Sequence, residues 1–165
     1  EQALDQALAH KGPVYIRMST ADINPTYEDE IFLIGKATQL ADGTDVTLMT
    51  TGTLMNQGLQ VVNNLKRNHN INARLLQFAS LKPIDVDAIK SAVEETHYII
   101  TIEEHNIIGG LGSAVCEIAS ELGNQKIKRL GINDHFSGIG TPDYLLREEG
   151  LSVENITKEV ITFIS

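Results

Sequence analysis

A single cysteine, Cys116, stands in a chain of 165 residues. With no second thiol there is no internal disulfide, and the composition suits a reducing cytoplasm, the expected compartment. Long apolar runs are also missing. None approaches the ~18–20 residues that a bilayer span requires, so no membrane partner is expected. Basic residues are few: 13 Lys and Arg stand against 22 Asp and Glu, a net charge of −9. A nucleic-acid binder needs a basic surface to displace counterions. Only Lys66-Arg67 and the group Lys126–Arg129 offer one. Both read as solvated faces, so no nucleic-acid partner is expected. The chain opens on Glu1, with no basic stretch leading into an apolar one, so no signal peptide is expected.

Several chemical signatures are missing as well. The dinucleotide fingerprint needs G-x-G-x-x-G directly after a strand. Counting from Gly110, the sequence supplies Gly112 and then Val115 where the third glycine belongs. The phosphate-loop pattern G-x-x-x-x-G-K-[ST] is not found, and neither H-x-x-H nor C-x-x-C spacing occurs. His69, His97 and His135 are scattered, and Ser113 lacks the G-x-S-x-G elbow of a hydrolase nucleophile. Cys116 falls in an apolar helical pattern and reads as a buried small hydrophobe.

What is present is a globular composition, 42% hydrophobic and 21% charged, in a length that fits one domain. Residues 1–11 form a helical pattern with Ala3, Leu4, Ala7 and Leu8 on one face. "GPVYIRMS" reads as a strand, and the polar stretch around Asn24-Pro25 as a linker. Residues 1–20 are thus expected to be the end of a preceding unit, 21–30 a linker, and 31–165 the domain proper.

In that domain strands and helices alternate. "IFLIGKATQL", "DVTLMTT", "ARLLQFA", "YIITIEE" and "KIKRLGI" read as strands. Helices are expected through Leu54, Gly58, Val61 and Leu65, through Ile89 and Val93, and through Val115, Ile118, Ala119 and Leu122. A further pair ends the chain, a short one after Pro142 and a longer one aligning Val153, Ile156, Val160 and Ile164. Mostly apolar strands alternating with helices predict an α/β fold of three layers, with a largely parallel sheet of about five strands.

The stretch "YIITIEEHNIIGGLGSAVCE", residues 98–117, is the candidate site. Glu103, Glu104 and His105 sit at the carboxyl end of a strand, where open α/β sheets place functional groups. A histidine beside carboxylates suits general acid or base work. Hydrogen bonding that fixes the loop suits the same residues, and Gly109, Gly110 and Gly112 suit a turn with close helix-to-sheet packing. The residues alone do not name a reaction.

"HKGPVYIR", "VTLMTTGTLMNQGLQVVNNL", "LKPIDVDAI", "TIEEHNIIGGLGSAVCE" and "FSGIGTPDYLLREEGLSVENI" resemble, in order, the C-terminal part of transketolase, in particular versions split into two shorter subunits. 1-Deoxyxylulose-5-phosphate synthase and the β subunits of 2-oxoacid dehydrogenases share the E-E…G-G-x-G-S-A type of loop. The resemblance implies the last helix and strand of a pyrimidine-binding domain followed by the C-terminal domain, an α/β sandwich with one antiparallel edge strand. In the whole enzyme it implies two-carbon ketol transfer between sugar phosphates, thiamine diphosphate and Mg²⁺ as cofactors, and a homodimer. It also implies a partner carrying the cofactor domains, as missing domains or an N-terminal subunit. The chain alone is expected to be inactive and to bind no cofactor. A non-catalytic interaction or regulatory module of the same build is the alternative from another class.

The resemblance makes Arg17 and Ser19 candidates for the substrate border, and Glu104, His105, Gly109, Gly110 and Gly112 candidates for an interface loop. Many family members carry a phosphate-contacting arginine where this chain has Thr20, which cannot make a bidentate charge-assisted contact. Strand alternation would place Arg17 and Ser19 on one face and Thr20 on the other.

Overall fold

Five consecutive buried residues, Val46–Thr50, form the strand on which the rest of the molecule is assembled. The computed structural model describes residues 2–19, 32–123 and 126–165. The elements in chain order are α1 (Gln2–Ala9), β1 (Ala37–Ala41), β2 (Val46–Thr50), a single 3-10 turn (Gly52–Leu54) that leads into α2 (Met55–His69), β3 (Ala73–Phe78), α3 (Val86–Glu95), β4 (Tyr98–Asn106), α4 (Leu111–Ser120), β5 (Lys126–Ile132), α5 (Pro142–Glu148) and α6 (Val153–Ile164).

The strands join in the order β1-β3-β2-β4-β5. β2 runs parallel to both β3 and β4, and β4 parallel to β5, while β1 closes one edge antiparallel to β3. The expected α/β sandwich with one antiparallel edge strand is therefore the fold observed. Successive side chains of a strand point to opposite faces, and the core divides accordingly. Val46 and Leu48 of β2, Leu75 of β3, and Ile100 and Ile102 of β4 pack with Val61 and Leu65 of α2 and Ile156 and Val160 of α6. Met49, Leu76, Phe78 and Ile99 face the other way, onto Ile89 and Val93 of α3 and Val115 of α4. Leu48 has no exposed surface, and truncating such a side chain to alanine costs about 2–5 kcal/mol.

Helix ends follow the sequence chemistry. Asp85, Thr141 and Ser152 cap α3, α5 and α6 by accepting from the N–H groups of Ala88, Tyr144 and Asn155. Asn70 ends α2 in the left-handed region at φ 55°.

Four expectations need correction. Residues 13–19 form no strand; Val14, Tyr15 and Ile16 are β-formers, but no described strand lies beside them to complete a ladder. The alternation argument that set Arg17 and Ser19 against Thr20 lapses with it. The first strand of the domain begins at Ala37, because Gly35 at φ +82° turns the chain just before it. Leu122 lies beyond the end of α4 and is exposed. Cys116 is half-buried instead of core. Thr20 and the linker expected over 21–30 lie outside the described residues. Among the described residues no helix is long and apolar enough to cross a membrane.

Candidate site at the carboxyl end of the fourth strand

The strand order creates a crevice. β2 leads through α2 to β3 on one side, whereas its neighbour β4 leads through α4 to β5 on the other. The helices leave on opposite faces, so the carboxyl ends of β2 and β4 bound a topological switch point, where open α/β sheets place ligands. Thr51 and Gly52 end the first wall, and Glu103, Glu104 and His105 the second. β4 runs to Asn106, two residues further than the pattern suggests, so all three lie within the strand.

Glu103 and Glu104 point to opposite faces and do different work. Glu103 is fully buried on the α4 side, where its Oε1 accepts from the Gly112 N–H at 3.1 Å. Gly110 is the N-cap of α4 and has no side chain to cap with, so the carboxylate from β4 supplies the acceptor at the first turn. The anion position of this helix N-terminus is thus taken by the protein itself. A Cβ on Gly110 would come within 2.0 Å of Glu103 Oε2 and 2.7 Å of His105 Nε2. A Cβ on Gly112 would come within 2.6 Å of Thr101 Oγ1 and 2.8 Å of Arg129 Cδ. The close helix-to-sheet packing expected of these glycines is the arrangement found.

Glu104 faces the α2 side, against Gly52. Its Oε1 accepts from Nη1 of Arg17 at 3.1 Å, and the same nitrogen stands 3.4 Å from His105 Nδ1. A guanidinium only donates, so Nδ1 is the acceptor of this contact, and the other ring nitrogen is Nε2. That nitrogen lies 2.9 Å from Glu103 Oε2 but off the line of a hydrogen bond, and Oε2 has no hydrogen-bond partner. Arg17, Glu104, His105, Glu103, Gly110 and Gly112 therefore form one connected group. Gly109 belongs to its rim, where its N–H donates to Ser113 Oγ at 2.9 Å. Ser19 also has an interaction of its own.

Arg129 is a participant that the sequence pattern does not single out. By pattern it belongs to a solvated basic group, yet its Nη1 donates to Ile107 O at 2.9 Å and to Ser113 Oγ at 3.3 Å, bracing the loop. The available signal is its place on β5 opposite Thr101, on the face that carries Glu103. Lys128 of the same group pairs with Glu159. Burial raises the Cys116 thiol above its ordinary pKa, with Glu103 and Glu117 adding to the effect and Arg129 opposing it. A thiol shifted in that direction is a poor nucleophile.

The donor set does not fit a diphosphate bound with Mg²⁺. Among the described residues no three His, Cys, Asp or Glu side chains converge as a metal-binding group, and the Glu103 carboxylate already sits against the Gly112 N–H at the start of α4.

Residues 35–156 match the model of the family described as "Transketolase, C-terminal domain". A Methanocaldococcus jannaschii protein provisionally named a transketolase C-terminal section is 42% identical over 156 residues, covering 92% of this chain and 48% of that protein. A subunit of an apulose-4-phosphate transketolase from Phocaeicola vulgatus is 38% identical over 92% of this chain and 49% of its own length. In three dimensions the fold matches a split-gene transketolase, described as an inactive beta4 tetramer. The TM-score is 0.92 at 35% identity, over 99% of this chain and 54% of that one. The chain spans about half the length of the curated relatives it matches. With the family model covering most of its length, this chain belongs to the transketolase family and carries that family's C-terminal domain.

Proposed function

We propose that this chain is the C-terminal part of a thiamine diphosphate-dependent transketolase, one that moves a two-carbon ketol unit between sugar phosphates. The observation that carries this reading is the near-complete likeness to a split-gene transketolase, which extends through residues 2–19 as well as the C-terminal domain. In this reading residues 1–20 end a pyrimidine-binding domain, and the cofactor is held by the preceding domains or by an N-terminal subunit. Arg17 and Ser19 border the substrate, and the loop from Glu104 to Gly112 lies at the subunit interface near the active-site entrance. The chain works in the cytoplasm within an oligomer that contains at least two copies of it.

The test is a ketol-transfer assay with a ketose phosphate donor and an aldose phosphate acceptor. Turnover is expected only when the cofactor-binding part, thiamine diphosphate and Mg²⁺ are all supplied. Turnover by the 165-residue chain with cofactor alone would overturn the reading. Condensation of pyruvate with glyceraldehyde 3-phosphate by the assembled protein would reassign it to a deoxyxylulose phosphate synthase.

A further inference from the structure

The loop between β5 and α5, residues 133–141, turns two large apolar side chains fully into solvent: Phe136 is 103% exposed and Ile139 102%. The loop is nonetheless held. The largely buried carboxylate of Glu149 accepts from His135 Nε2 at 3.1 Å and from the Ser137 hydroxyl. With the residues on either side of it drawn inward, Phe136 is directed outward. Gly140 backs onto the ring of Tyr144, where a Cβ would lie 2.4 Å from Cδ1. A recess of about 450 Å³, lined in part by Ile139, Tyr144 and Leu145, opens between the loop and α5. Apolar side chains carried on a loop fixed at both ends are ordered before anything binds, and that ordering need not be supplied by the partner.

The place of the loop in the fold says where its partner lies. β4 and β5 pair at Asn106 and Ile132, and Asn106 Nδ2 donates to Asp134 Oδ1 at 3.3 Å. The loop thus stands at the carboxyl edge of the sheet, beside the exposed Ile108 and one residue on from His105, which meets Arg17. Residues 13–19, with Tyr15 and Met18 exposed, reach the domain at the same edge. The exposed acidic side chains of the loop and α5 are Asp134, Asp143 and Glu148, with Arg147 beside them. Two copies meeting through this face would set carboxylates against carboxylates, which is unfavourable, so the face suits a different surface. The chain spans about half the length of its curated relatives, which leaves as much again to supply one. We propose that Phe136 and Ile139 form a docking knob for the cofactor-binding part of the enzyme, entering an apolar recess there that is rimmed by lysine or arginine. This rests on the reading that the chain works with such a part.

The experiment is hydroxyl-radical footprinting of the native side chains, on the 165-residue chain alone and with the cofactor-binding part added. Oxidation of Phe136 is expected to fall ~10-fold or more on adding that part, since the centre of a protein contact excludes water. Leu122, exposed at the opposite, amino edge of the sheet, should be unchanged. Phe136→Ser combined with Ile139→Ser is expected to raise the Kd between the two parts ~100-fold or more, because both side chains would be missing from a dry contact. The Tm of the variant chain alone should match the parent, as both positions lie in solvent there. Equal oxidation of Phe136 in the two samples would overturn the proposal, as would an unaltered Kd. Protection in the chain alone that grows with its concentration would overturn it too, by assigning the face to a second copy. If the assembled protein protects Phe136 but transfers no ketol unit, the reading of its activity fails and the docking stands. Ketol transfer with Phe136 still freely oxidised sinks the docking and keeps the reading.

Discussion

Asp85 gathers three contacts on one carboxylate. Its Oδ1 caps α3 by accepting from Ala88 N at 3.2 Å and meets Lys36 Nζ at 3.4 Å, and its Oδ2 accepts from Ala37 N at 3.0 Å. Burial opposes its ionisation, but the N–H groups of Ala37 and Ala88 and the Lys36 ammonium outweigh it and hold the carboxyl below its ordinary value. A depressed carboxylate contributes stability above its unfolded pKa of ~3.9 and loses it as pH falls through the lower folded value. Asp85→Ala should therefore destabilise the domain at pH 7 by about 1–2 kcal/mol in urea titrations, the usual cost of a lost cap. The gap between parent and variant should narrow as the pH falls from ~3.9, where the unfolded chain takes up the proton, through the lower folded value, where the native carboxylate does. A gap of the same size at pH 3 would show that the charge contributes nothing. Part of this was legible in the sequence: the spacing of Ile89 and Val93 marks the helix in front of which Asp85 stands. Its bond to the first residue of the edge strand, 48 positions earlier, was not. Such pairings follow from strand order, and nothing in either local sequence announces them. The contact between Arg17 and Glu104, 87 positions apart, is hidden for the same reason.

At the scale of elements, patterns that bury a whole face were legible and those that depend on a neighbour were not. Leu54, Gly58, Val61 and Leu65 recur at helical spacing, and all four are buried along α2 or in the turn before it. Val14, Tyr15 and Ile16 have the same local character as the residues of β4 yet form no strand, since a strand is defined by the ladder beside it. The loop before α4 makes the point testable. At Gly110 the obstacle to a Cβ is the end of a glutamate side chain, ordinarily an easy group to displace. Glu103, however, is fully buried and bonded to Gly112 N, so moving it uncaps α4 and leaves a buried carboxylate unpaired. Gly110→Ala should cost about 1–3 kcal/mol through overpacking and the lost bond. Gly138→Ala, where nothing lies within 4 Å of the new Cβ, is the control and should stay within about 0.5 kcal/mol. Equal thermal shifts in the two variants would mean that Glu103 moves freely and is not the cap described.

Across the whole molecule, the most revealing contrast is between the sheet and residues 2–19. α1 buries no residue, and Leu4, Leu8, Tyr15 and Met18 expose much of their surface. Polar side chains do the tethering: Gln2 Oε1 accepts from Phe32 N at 2.6 Å, Gln6 bonds the backbone of Phe32 and Ile34, and Arg17 pairs with Glu104. An eight-residue helix without a packed face is marginal in water, since nucleation is costly and most helical stability in proteins comes from packing. The chain spans about half the length of these relatives, and on the reading proposed above the preceding domain or subunit would cover the exposed apolar side chains of this segment. Hydrogen exchange measured on the 165-residue chain should therefore show α1 amides exchanging near the rate of an unfolded peptide, while those of β2 and β4 exchange only through global unfolding. On the proposed reading, supplying the cofactor-binding part should slow α1 by ~100-fold or more while leaving β2 and β4 little changed, because local opening is what the added surface suppresses. Protection of α1 equal to that of β2 in the chain alone would mean that the polar tethers suffice, and that residues 2–19 belong to the C-terminal domain and not to the unit before it.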